Sequence, residues 1–153
     1  MKRTFCLLLG VSLVVLLAQA AQQGKQDEKA TTTRTLKVKL NYTGSGTVDE
    51  KHKIIVFLFD SPDFVQGSVM PFTMKTASAK DEMVVITDIG SSPVYAVAAF
   101  DPSGAYDGQS GPPPSGSSMG MYSKTPGKPE PIEIGAGKTV EIDLPFDDSF
   151  KMP

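Results

Sequence analysis

The chain has no tryptophan, one cysteine and one histidine among 153 residues. The cysteine, Cys6, lies inside an N-terminal apolar run, so everything beyond that run is free of thiols. Disulfides, thiol catalysis and cysteine-ligated zinc are thereby excluded from the rest of the chain. Cys6 sits at the start of the run rather than at its end, where a lipid-anchor cysteine would stand. Basic clusters are missing too. Without its first 20 residues the chain carries a formal charge of about −4, which argues against nucleic acid or anionic membrane as a partner. Helical apolar spacing is nowhere sustained over three turns, no G-x-S-x-G elbow occurs, and no Gly-rich phosphate loop precedes a helix.

What is present begins with an export signal. Lys2 and Arg3 precede the apolar stretch Phe5 to Ala18. At about 14 residues, that stretch is shorter than the roughly 20 a membrane-spanning helix needs. Ala18-Gln19-Ala20 then gives the small-x-small pattern at which signal peptides are cleaved. The expectation is a signal-peptide helix over 1–20, a polar tether over 21–33, one β domain over 34–146 and a tail over 147–153. The domain would be secreted or periplasmic, with no membrane anchor after cleavage.

The domain's pattern is that of strands. Leu36, Val38, Leu40 and Tyr42 alternate with Lys37, Lys39 and Asn41, as in a strand with one buried face. Ile54 to Phe59 is continuously apolar, as in a central strand covered on both sides. Val69 to Thr76 reads as a weaker strand that Pro71 pushes to an edge. Met83 to Ile86 and Val94 to Phe100 follow, the latter with small alanines that let two sheets approach. Met119 to Ser123 is a short strand. Pro131 to Ile134 and Thr139 to Leu144, joined by Gly135-Ala136-Gly137-Lys138, read as a hairpin. Seven or so such strands predict an all-β, antiparallel, Ig-like sandwich, with a small barrel as the other architecture.

The stretches IIVFLFDSPDFVQG (Ile54 to Gly67) and VVITDIGSSPVYAVAAFDPSGAYDG (Val84 to Gly108) resemble exported bacterial β-sandwich domains of the transthyretin-like, carboxypeptidase regulatory-like type. The resemblance runs from Leu36 to Leu144 and implies a fold rather than an activity. In that group the matching loop is rich in oxygen ligands. Here Asp101 to Asp107 keeps two carboxylates and lacks the group's His and Asn.

Several residues are candidates for chemistry. Asp101 and Asp107 are candidate calcium ligands, since calcium takes oxygen donors on a sharply turning loop. The alternative is that Asp101 only caps the Pro-Ser-Gly bend. Met119 and Met121, with His52, are candidate Cu(I) ligands, because soft thioethers select that ion; Met as core filler is the alternative. Asn41-Tyr42-Thr43 matches a glycosylation acceptor. The longest irregular stretch, 101–118, holds Pro112-Pro113-Pro114 and is flanked by Tyr106 and Tyr122, which suit a protein or carbohydrate contact. No base–nucleophile pair is evident. The expected function is a non-catalytic binding or structural module with no cofactor, contacting a partner through loop 101–118. The alternatives are a copper or calcium binder, a module that pairs through exposed strand edges, and a small hydrolase.

Overall fold

A computed structural model describes residues 33–153. The segments expected to be a signal peptide (1–20) and, apart from Thr33, a polar tether (21–33) lie outside the described residues. Seven strands form: β1 (Arg34–Tyr42), β2 (Ile54–Phe59), β3 (Thr73–Ala77), β4 (Met83–Ile89), β5 (Tyr95–Phe100), β6 (Ser118–Met121) and β7 (Thr139–Phe146). They make two sheets, one ordered β4-β1-β7 and one ordered β3-β2-β5-β6. The architecture is an all-β sandwich, as the strand pattern predicts. Among the described residues no helix is long and apolar enough to cross a membrane.

Alternation decides which side chains meet between the sheets. Leu36, Val38, Leu40 and Tyr42 of β1 are buried on the inner face of their sheet, beside Ile142, Leu144 and Phe146 of β7 and Val84, Ile86 and Ile89 of β4 in the same core. The opposing sheet contributes Ile54, Val56 and Leu58 of β2 and Ala96, Ala98 and Phe100 of β5. Each Leu or Ile removed from water in this way contributes about 1.5–3 kcal/mol. The alanines of β5 leave room for the larger residues opposite.

β2 is buried at every position, as its continuous apolar run implies. Its odd face, Ile55, Phe57 and Phe59, joins Val97 and Ala99 of β5 in a second apolar layer on the outside of the four-stranded sheet. Met74, Tyr95, Met119 and Met121 of the same sheet flank that layer, and Phe64, Val69 and Tyr106 pack over it. Phe64 comes from a 3-10 helix over Pro62–Gln66, which Ser61 caps and Gly67 ends in the left-handed region at φ 73°. The sequence shows the same Ser-Pro-Asp stop, but the turn carries on long enough to stack Phe64 on Phe59, centroids 4.5 Å apart.

Three expectations are corrected. The segments 131–134 and 139–144 do not pair as a hairpin. Ile132 instead bridges Val94, while β7 lies parallel to β1 over eight residue pairs. β1 offers a full-length partner, whereas 131–134 offers four residues starting with a proline, so the longer ladder prevails. The parallel pair needs no helical crossover, because the whole domain lies between its first and last strands. β3 starts at Thr73 rather than Val69, which leaves Pro71 outside it; the strand does lie at an edge of its sheet, but not because of that proline. Finally, residues 147–153 are not a free tail. They run back along β6, with Met119 N–H donating to Phe150 O (2.9 Å), Gly116 N–H to Met152 O (2.8 Å) and Met152 N–H to Ser117 O (2.8 Å).

Candidate functional site

Loop 101–118 leaves the end of β5 and returns to the start of β6, the adjacent strand, across the outer apolar layer. Tyr106 sets its course. Its ring lies 6.4 Å from that of Phe57, and its hydroxyl donates to Gly111 O at 2.6 Å. Gly108, at φ 81°, presses its backbone onto Met74 and Ile55, where a Cβ would come within 2.7 Å of Met74 Sδ. Only glycine suits both that conformation and that contact.

The two carboxylates proposed as ion ligands are engaged within the loop. Asp101, nearly buried, accepts from the Ser103 amide (2.9 Å), the Ser103 hydroxyl (2.6 Å), the Ala105 amide (3.1 Å) and the Tyr106 amide (3.0 Å). Burial works against its charge, but these donors outweigh it and hold the carboxyl below its ordinary value. Asp107 accepts from the Gln109 amide (2.8 Å) and from the amide and hydroxyl of Ser110 (both 3.0 Å), which likewise lowers its pKa. The pair thus forms two separate turn caps. Among the described residues no group of three or more His, Asp or Glu side chains is disposed to hold a metal ion.

The other candidates are dispersed. Met119 and Met121 lie on one face of β6, beside Ala99 and Val97 in register, and both pack in the outer layer. His52 is elsewhere, in a hollow of about 310 Å³ that it lines with Gly46, Thr47, Phe100 and Pro102. Its Nδ1 lies 2.9 Å from Asp49 Oδ1, an oxygen that also accepts from the amides of Lys51 and His52. The His52 amide, followed by its ring, keeps the Asp49 carboxyl low. The hollow's lining offers one hydroxyl, that of Thr47. Tyr106 and Tyr122 do not share a surface. Strand parity sends Met121 outward and Tyr122 inward, so Tyr122 packs against the inner core while Tyr106 belongs to the outer layer. Asn41 is exposed on β1.

A further polar centre ties the loop's exit to the rest of the molecule. Asp148 accepts from Tyr42 Oη (2.6 Å), the Ser45 amide (2.9 Å) and hydroxyl (2.8 Å), and Ser118 Oγ (2.6 Å). Lys151 Nζ stands 3.7 Å away. The Ser118 hydroxyl, then Tyr42 and Ser45, hold this carboxyl far below the ordinary range. Desolvation and the neighbouring Asp148 raise the Tyr42 hydroxyl. No sequence signal marks this knot, because Tyr42 and Asp148 are 106 positions apart.

No protein-family model, curated protein or solved structure matches the chain, so the site is read from its geometry.

Proposed function

We propose that this chain is an exported, non-catalytic β-sandwich of the transthyretin-like type that binds a protein or carbohydrate partner through loop 101–118. The observation that carries the reading is the loop's internal construction. Asp101, Asp107 and Tyr106 spend their polar groups on the loop's own backbone, while Gln109, Ser110, Pro112 and Pro114 stay exposed at its crest. A long loop that caps its own turns and offers an ordered polar and proline surface suits recognition, because little order remains to be imposed on binding. The export signal supports an envelope or extracellular location.

Two measurements test this. Mass spectrometry of the protein from its source is expected to find Ala21 as the first residue; an intact Met1 refutes export by cleavage. Replacing residues 109–115 with a Gly-Ser linker of equal length is expected to leave the melting temperature nearly unchanged and to abolish partner capture from the source's envelope fraction. An unchanged set of captured partners refutes the loop as the contact.

A further inference from the structure

Within that loop, and resting on the reading above, the geometry points to Pro112-Pro113-Pro114 as a preformed polyproline II ligand for a protein whose groove is lined with tryptophan or tyrosine. Proline fixes φ near −65°. A residue that precedes proline is driven to extended ψ. Pro112 and Pro113 each precede a proline, so covalent structure alone gives the run the polyproline II backbone. The order that a flexible peptide would have to gain on binding is already present.

The run is also held out as an arch. At one foot Tyr106 Oη donates to Gly111 O at 2.6 Å. At the other, the Ser117 amide donates to Pro114 O (3.1 Å) and the Gly116 amide to Met152 O (2.8 Å). Gly111 (φ 106°) and Gly116 (φ 88°) bend the chain into and out of it. Between the feet, Pro112 and Pro114 are exposed and Pro113 is half-buried. Among the described residues no backbone N–H reaches the carbonyl of Pro112 or Pro113.

Exposed pyrrolidine rings and free carbonyls define the partner's chemistry. Flat aromatic faces pack against the rings, and indole N–H or phenol O–H groups donate to the carbonyls. The run itself offers no charge: residues 108 to 123 contain no Asp, Glu, Lys or Arg, and the nearest carboxylate before it, Asp107, is directed to the Gln109 and Ser110 donors. A contact made through the proline rings and carbonyls is therefore expected to depend little on salt, unlike one built on ion pairs.

The test uses three immobilised forms of the purified chain: wild type, the triple variant Pro112→Ser, Pro113→Ser, Pro114→Ser, and the 109–115 linker replacement. Each is incubated with envelope proteins of the source, and bound protein is displaced with decaproline or with a Gly-Ser peptide as control. Melting temperatures confirm that all three are folded. The expected result is a protein held by wild type equally at about 0.15 M and about 1 M salt, where the screening length falls from roughly 8 to 3 Å. Decaproline releases it and the control does not, and the triple variant holds about tenfold less. Loss in the triple variant without release by decaproline overturns polyproline recognition. Full capture by the triple variant but none by the linker form overturns the arch and leaves the loop reading standing. Equal capture by all three forms, or none by wild type, overturns both.

Discussion

At the residue scale, the most demanding polar group is Asp148. Its carboxylate joins the end of β1 through Tyr42, the following turn through Ser45, and the start of β6 through Ser118. All these partners donate, so a negative acceptor is required. Asp148→Asn replaces one oxygen with a donor that faces donors. Hydrogen bonds to a charged group are worth about 1.5–3 kcal/mol each, and they are not additive when they share one acceptor. The expected loss is about 2 kcal/mol, read by denaturant unfolding. The pH dependence follows from the direction of the shift. The folded carboxyl titrates far below the unfolded one, whose value is about 3.9. The folded state therefore binds fewer protons, so the contribution is complete above that value and fades as pH falls below about 4. Wild-type stability should drop steeply with acid over that interval and that of Asp148→Asn less steeply. Parallel curves would show that the knot contributes nothing.

At the element scale, the C-terminal segment straps the edge of β6 through the isolated bridge between Ser118 and Lys151 and the backbone bonds beside it. It continues from β7, crosses the open side of the sandwich and pairs with β6, an edge of its sheet. An uncovered edge is a template for pairing with other chains. Deleting residues 150–153 removes three backbone hydrogen bonds, each worth about 1 kcal/mol net. The truncated chain is expected to melt lower, to exchange its Gly116 and Met119 amides faster, and to self-associate in sedimentation. Unchanged exchange at these two amides would show that the segment does not close the edge. The sequence reveals this scale unevenly. The unbroken run Ile54 to Phe59 gives away a strand buried on both faces, and the alternation from Leu36 to Tyr42 gives a correct inward face. Alternation cannot name a partner, however, which is why β7 reads as half of a hairpin and in fact lies beside β1. The strap is illegible for a similar reason. Asp147, Asp148 and Ser149 look like a polar tail until the fold brings Tyr42 and Ser118 alongside. Within the loop the local chemistry is more readable, since an Asp capping the bend that follows it needs only nearby residues.

At the scale of the whole molecule, β2 and β5 separate two apolar layers with different duties. The inner layer joins the sheets and is largely enclosed, with Leu58 completely buried. The outer layer is roofed by the 3-10 helix and loop 101–118, and several of its members remain partly exposed. The sandwich therefore holds the loop from beneath rather than only at its ends. Adjacent substitutions on β2 separate these duties. Leu58→Ala creates a cavity between the sheets, with an expected loss of about 2–5 kcal/mol. Phe57→Ala removes the ring beneath Tyr106, which sits 6.4 Å away. Its roof can settle inward, so the expected loss lies near the lower end of the usual range, about 3 kcal/mol. Hydrogen exchange distinguishes the two variants better than stability does. Leu58→Ala should speed exchange across both sheets through global unfolding. Phe57→Ala should in addition speed the Ala105 and Tyr106 amides, which donate to Asp101, by more than its global loss accounts for. If both variants change those two amides only in step with global stability, the loop is held by its ends and its own turns, and the outer layer does not position it.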